Sequence, residues 1–240
     1  MLIYQKLKTN SARLLAMTSL TAEEFEHLLS AFEAAYEKKY PPEKTLEGKS
    51  RQRSTGGGTK GRLDQDEERL LFILVYQKTN PIQQMQGLQF GMSQAQANYW
   101  IHHLLPVLQQ ALEDLGHKPE RDGSKVAANQ LATDGASDLV IDGTERRRQR
   151  PKNDETQKKH YSGKKKAHTD KNLVLVNEQS TKVAYLSPTV PGKKHDKKMA
   201  DEAKISYPAN AKLDKDTGFQ GYEPEGVITT QPKKNRRAKN

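Results

Sequence analysis

The spacing of apolar residues changes part-way along the chain, and that change dictates a two-part fold. Up to Leu115 the apolar positions recur at helical intervals. From Asp138 onward they come in short runs bounded by Gly, Pro and charged residues, the pattern of strands. Leu20, Phe25, Leu28, Leu29, Phe32 and Tyr36 make one helical stripe, opened by Thr21 and Glu24 as a capping box and closed by Pro41 and Pro42. Residues 66–114 predict three helices. The first covers Asp66 to Lys78, the second about Ile82 to Phe90, and the third opens at Ser93, with Gln96 placed for another capping box. Pro106 is expected to kink or end the third helix.

A short helix, a turn at Gly91-Met92 and a longer helix is the helix-turn-helix pattern. In such a motif the second helix lies in the major groove and its early residues reach base edges. Here those are Gln94, Gln96, Asn98 and Tyr99, Gln and Asn being suited to adenine. Trp100, Ile101, Leu104 and Leu105 are expected to face the core. An ordinary helical hairpin would show the same pattern.

The organisation follows: residues 1–42 a helical region, 43–65 a basic linker, 66–115 the helix-turn-helix region, 116–137 a second linker with room for one short helix, and 138–240 a mixed sheet with helices. The first linker sets Arg51, Arg53, Lys60 and Arg62 around Gly56, Gly57 and Gly58. It is not a phosphate-binding P-loop, because Gly61 precedes Arg62 and Leu63 where Lys and Ser or Thr are required.

Charge narrows the partners. Forty Lys and Arg against 30 Asp and Glu leave a formal charge of +10, and hydrophobic residues make up 33% of the chain. A nucleic acid is the partner such an excess favours. The longest apolar run, Leu70 to Tyr76, is too short to span a bilayer, the N-terminus lacks the apolar core of a signal peptide, and no membrane role is expected. The chain has no cysteine, which excludes disulfides, thiol nucleophiles and cysteine-based zinc sites and fits a reducing cytoplasm.

In the second half, Asp138 to Asp142, Lys171 to Asn177, Val183 to Leu186 and Ala211 to Asp216 read as strands, the middle two as an antiparallel hairpin, with a helix from His195 to Ala203. Asp142 and Asp216 each follow such a run, with Gly next to Asp142 and two residues after Asp216. Two carboxylates brought side by side at strand ends repel unless divalent cations neutralise them, and their oxygens suit Mg²⁺ or Mn²⁺. Two such ions can serve phosphodiester chemistry. Asp-Gly pairs also simply mark turns. Arg146, Arg147, Arg148 and Arg150, with Lys158, Lys159, Lys164, Lys165 and Lys166, form basic clusters after Asp142, where a DNA backbone would need neutralising. His195 and Asp196 read as a helix cap and a solvated side chain, since no Ser or Cys constellation calls for them.

The segments LTAEEFEHLL, GGGTKGRL, FILVYQKTNPIQQMQGLQFGMSQAQANYWIHHLLP, IDGTERRRQRPKNDETQKKHYSGKKKAHTDKNLVLV, PGKKHDKKMADE and DTGFQGYEPEGV run through nearly the whole chain. Together they resemble the DDE-superfamily transposases of the insertion-sequence five type. That resemblance implies an N-terminal helix-turn-helix region followed by a ribonuclease H-like catalytic domain. It places the first catalytic acid at Asp142 and the second at Asp216 rather than Asp214. It implies Mg²⁺ or Mn²⁺ as cofactor, double-stranded DNA with inverted-repeat ends as partner, possible homo-oligomers, and work at the nucleoid of a bacterial cytoplasm. The family's third acid is a Glu on a helix beyond the segment matching GYEPEGV, and Asn240 precedes it. Glu223 and Glu225 are poor substitutes, so the catalytic domain is expected to be incomplete, with apolar sheet surface uncovered. The tail from Asn235 can be encoded so that a one-base slip restores a family-like continuation. Two readings stay open: a metal-dependent DNA strand cleavage and transfer enzyme, or a non-catalytic DNA-binding or regulatory fragment.

Overall fold

The computed structural model describes residues 2–44, 48–52, 61–135 and 137–232. They form two compact units, Met1–Lys118 and Pro119–Asn240. Arg53, Lys60 and the three consecutive glycines of the first linker, and the tail from Lys233, lie outside the described residues.

The first unit is helical: α1 (Tyr4–Lys8), α2 (Ser11–Thr18), α3 (Ala22–Lys39), α4 (Asp66–Thr79), α5 (Gln83–Phe90) and α6 (Gln94–Asp114). Both capping boxes are present, Thr21 with Glu24 on α3 and Ser93 with Gln96 on α6. Phe25, Phe32, Phe72, Phe90, Ile101 and Leu104 meet in one core. Tyr4 closes it from the N-terminus, its ring stacked on Phe25 at 4.2 Å. Leu70 to Val75 are all buried, so α4 is apolar on every side and runs through the middle.

The turn between α5 and α6 depends on two glycines. Gly91 takes a left-handed conformation (φ 68°) as the C-cap of α5. Gly87 lets that turn pack flush against α5, since a Cβ there would stand 2.6 Å from the Met92 carbonyl oxygen. The helix does not end at Pro106 but continues to Asp114. The proline deletes one amide donor, while Ile101, Leu104, Val107, Leu108 and Ala111 carry one buried stripe past it. Ile101 and Leu104 are buried, and Trp100 and Leu105 pack partly buried against the same core.

The second unit opens with a 3₁₀ turn (Gly123–Ala128) and α7 (Gln130–Thr133), followed by β1 (Asp138–Arg147), α8 (Asp154–His160), β2 (Tyr161–Ser162), β3 (Ala167–Asn177), β4 (Val183–Leu186), β5 (Val190–Pro191), α9 (Asp196–Ala203), β6 (Lys212–Lys215), a 3₁₀ turn (Thr217–Phe219) and β7 (Ile228–Thr230). β1 lies between β3, antiparallel to it, and β6, parallel to it, and β7 extends the sheet parallel to β6. β4 and β5 share the other edge of β3, and β2 pairs with the first residues of β3. A helical unit followed by this mixed sheet with helices is the expected α plus α/β class, and the meander, helix and parallel strands fit a ribonuclease H-like sheet.

Two segments differ from expectation for one physical reason each. β1 does not stop at Asp142, because β3 supplies a partner for every residue up to Arg147, opposite Thr169. Backbone pairing, not apolarity, sets its length. Within the segment read as a second linker, Val126, Leu131 and Ala132 are buried in the sheet core and the Glu120 amide bonds the Ala184 carbonyl at 2.9 Å. On one face of the sheet, Leu139, Ile141, Leu173, Leu175 and Leu213 pack with Met199 and Ala200 of α9. On the other, Val140, Val174 and Val176 are half-buried. Among the described residues no helix is long and apolar enough to cross a membrane.

Candidate active site

Strand alternation settles which face Asp142 takes. Leu139 and Ile141 are buried, so Val140, Asp142, Thr144 and Arg146 point to the opposite face. On β6, Leu213 and Lys215 are buried, which puts Asp214 on the face of Val140. The parallel pairing of β1 with β6 runs from Asp138 opposite Lys212 to Ile141 opposite Lys215. Asp142 is the next residue on β1, and Asp216 is the first residue past β6. They line one open cavity of about 620 Å³, together with Val140, Asp214, Thr230, Gln231 and Pro232. Asp142 is therefore in the middle of its strand, not at its end; what ends there is its pairing with β6.

Each carboxylate is held by one local amide. The Gly143 amide donates to Asp142 Oδ1 at 2.7 Å, and the Gly218 amide to Asp216 Oδ1 at 2.8 Å, the latter capping the 3₁₀ turn. Both side chains are otherwise exposed. Among the described residues no group of three or more His, Cys, Asp or Glu side chains could hold a metal ion. The donor chemistry of the pair, two hard oxygen ligands open to solvent, fits a divalent ion. Glu223 does not join them. It faces Lys215 at 2.5 Å and accepts from the Thr229 hydroxyl, and these hydrogen bonds hold its carboxyl below the usual range.

The basic side chains divide. Arg146 shares the face of Asp142, two alternations along β1, and donates to Asn172 Oδ1 at 2.7 Å. At roughly 3.3 Å per residue this is about 13 Å from Asp142. Arg147, the next residue, projects to the other face and is exposed. Arg148 is paired with Asp170 at 3.0 Å, and His160 contacts the same carboxylate. Lys164, Lys165 and Lys166 occupy the exposed turn between β2 and β3. Arg150, Lys158 and Lys193 line a separate cavity of about 520 Å³ with Gln157, Tyr161 and His168, the last two in edge contact at 5.6 Å. Lys193, Tyr161 and His168 were not singled out from the sequence; an exposed Tyr inside a lysine run was the available signal.

On α6, Gln94 and Tyr99 are exposed and Asn98 is half-buried. Gln94 donates to Gln83 Oε1 at 2.6 Å, and Tyr99 stacks on His103 at 3.9 Å. Gln96 accepts from the Ser93 amide at 3.0 Å, so its oxygen is committed to the cap.

Sequence reasoning misplaced Asp196. It is neither a cap nor solvated: its side chain is 18% exposed and pairs at 3.0 Å with Lys171, whose side chain is 7% exposed. Lys171 also pairs with Glu145 at 3.1 Å. Burial pulls the Lys171 ammonium down, but the hydrogen bonds and charges of Asp196 and Glu145 outweigh it and leave the group above the usual lysine range. Burial likewise pushes Glu145 up, and bonds from Ser162, Lys171 and Thr169 overcome it and hold the carboxyl low. The missed signal was Lys171, a charged residue at the head of an apolar strand run.

Residues 141–240 match the family model described as DDE superfamily endonuclease, and residues 62–114 match the helix-turn-helix of DDE superfamily endonuclease. The chain belongs to the DDE transposase superfamily. The two matched segments fall one in each unit of this transposase, and its helix-turn-helix comprises α4 to α6. DNA binding and use of a divalent metal go with that membership. No curated protein and no solved structure matches.

Proposed function

We propose that the chain is an insertion-sequence transposase polypeptide of the insertion-sequence five type, in which Asp142 and Asp216 hold Mg²⁺ or Mn²⁺ for cleavage and transfer of DNA strands at inverted-repeat ends. The observation that carries this is the cavity lined by both carboxylates where β1 and β6 part. An ion bound there would activate the attacking hydroxyl or water and offset charge on the leaving oxygen. The chain's own groups do the rest. The Gly143 and Gly218 amides orient one oxygen of each carboxylate, and the second oxygen of each would be available to hold the ion. Arg146 lies on the same face, where it neutralises a phosphate of the DNA strand, and Lys164, Lys165 and Lys166 extend that contact from the hairpin turn. Arg147 adds positive charge at the end of the same ribbon, and Arg148 would join it on leaving its pair with Asp170. In the helical unit, Gln94, Asn98 and Tyr99 at the start of α6 read base edges, with the amide nitrogen of Gln96 beside them. The setting is double-stranded DNA in a bacterial cytoplasm, with paired ends bridged by more than one copy of the chain.

The test uses the full chain, labelled element ends and Mg²⁺. Metal-dependent nicking lost in both Asp142→Asn and Asp216→Asn supports the enzyme. A second reading, DNA binding without cleavage, is favoured by the lack, among the described residues, of a group of three acids or histidines able to hold a metal ion. It predicts end-specific binding with no nicking in any variant. Wild-type nicking retained in Asp142→Asn would sink the metal-pair reading.

A further inference from the structure

Two glycines beside the paired carboxylates have their Cβ positions occupied by one side chain. A Cβ on Gly143, next to Asp142, would stand 2.4 Å from Asp196 Oδ1. A Cβ on Gly218, two residues after Asp216, would stand 3.0 Å from Asp196 Oδ2 and 2.9 Å from Asp216 Oδ1. Each oxygen of Asp196 thus abuts the backbone that carries one of the two acids. The carboxylate reaches that slot from the first turn of α9 and is fixed there by Lys171. Lys171 is fixed in turn by Glu145, its cross-strand neighbour, and by the Lys194 carbonyl at 3.1 Å. Thr169 donates to Glu145 at 3.2 Å and completes the chain of contacts.

An arrangement like this is hard to explain as a stability device. Buried ion pairs roughly break even against apolar side chains of the same size. A carboxylate placed close to a second carboxylate, Asp216, adds repulsion. What the arrangement does supply is rigidity between the end of β6 and the middle of β1, where no ladder bond continues.

We propose that Asp196 is a positioning residue that sets the spacing of Asp142 and Asp216, acting through the backbone at Gly143 and Gly218. This rests on the reading of Asp142 and Asp216 as the metal pair. Because the slot is bounded by two backbones, both charge and length matter: Asn keeps the shape without the anchor, and Glu keeps the charge but is one methylene too long.

The test is Mn²⁺ binding to the full chain without DNA, followed by electron paramagnetic resonance of free Mn²⁺. Folding is checked by circular dichroism. Wild type binds, and Asp142→Asn and Asp216→Asn abolish binding; if those two bind like wild type, the metal-pair reading itself fails. With that reading intact, Asp196→Asn and Asp196→Glu are each expected to weaken binding at least about tenfold, while Asp201→Asn, the same charge change on the exposed side of α9, leaves it within about twofold. Wild-type affinity in Asp196→Glu, or equal losses in Asp196→Asn and Asp201→Asn, would reduce the effect to long-range charge and overturn the proposal. Failure of both Asp196 variants to fold would make the residue a support of the domain rather than of the site, and would overturn it too.

Discussion

The two units bury different chemistry. In the helical unit the buried side chains are almost all apolar; its Lys8–Glu26 pair stands in solvent and its Arg69–Asp66 pair is only partly covered. In the sheet unit Glu145, Lys171 and Asp196 are taken out of water together, beneath an exposed pair of acids. Apolar burial is the less costly way to hold a fold, so the buried row of charges is the feature that sets the sheet unit apart. The contrast teaches where each unit spends its structure: the helical one on presenting a helix face, the sheet one on fixing a few side chains.

The largest effects should come from breaking each kind of core. Phe72→Ala empties a fully buried ring site in α4 and should cost the helical unit about 3–5 kcal/mol. Lys171→Met leaves Glu145 and Asp196 buried without a cation and should cost the sheet unit about 3–5 kcal/mol as well. The triple change Glu145→Leu, Lys171→Met, Asp196→Ala separates the two. It should recover most of that stability in urea titrations while Mn²⁺ binding stays weak. Weak stability in the triple variant would mean that the ions serve the fold after all.

A sharper, smaller effect is expected at the α5–α6 turn. Gly87→Ala puts a methyl 2.6 Å from the Met92 carbonyl oxygen, which is backbone and cannot swing away. The loss should be about 1–3 kcal/mol. It should also weaken DNA binding by shifting the start of α6, whereas Leu108→Ala, farther along the same helix, should cost stability alone. Equal binding losses in the two would show that the turn has no special part in recognition.

How much was legible follows the same division. α3, α4, α5 and the start of α6 could be read because local signals, capping boxes, apolar stripes and a turn glycine, act within a few residues of each other. The far end of α6 fell within the predicted helical region, but its continuity past Pro106 could not be read, because the packing of Val107, Leu108 and Ala111 overrides a proline that is locally a kink or stop signal. In the sheet unit, β4 was legible from its own residues, while the lengths of β1 and β3 depend on each other. Asp142 and Asp216 could be named from a resemblance, and their shared cavity follows from register. Asp196 could not be placed, since its partners Lys171 and Glu145 are distant in sequence and only the crossing of α9 over the sheet joins them.

Caps give a modest effect that tests the local half of this argument. Thr21→Ala and Ser93→Ala each remove one side-chain acceptor from a helix N-terminus, and each should cost about 1 kcal/mol. Thr21→Ala should leave DNA binding unchanged. Ser93→Ala keeps the backbone amide that holds the Gln96 oxygen at 3.0 Å, so sequence preference and salt dependence should also stay unchanged; an altered preference would show that the lost hydroxyl contact at 3.3 Å is what restrains Gln96.

The mildest contrast is in pH. Glu145 titrates below its ordinary value near 4.5 in the folded sheet unit, so its contribution is present above that value and lost as pH falls through the lower folded one. Lys171 titrates above its ordinary value near 10.5, so its contribution is present below that value and lost as pH rises through the higher folded one. The sheet unit should therefore hold a plateau between about pH 5 and 10 and weaken on both sides. In the helical unit the acids oppose one another. Burial raises Glu33 and Glu68, while hydrogen bonds lower Glu24 and Glu26, so its acid dependence should be shallower. Urea unfolding from pH 3 to 11, followed by Trp100 fluorescence for the helical unit and by amide exchange on β1 and β3 for the sheet, checks both curves. A sheet unit no more acid-sensitive than the helical one would remove the buried carboxylates from the account of its stability.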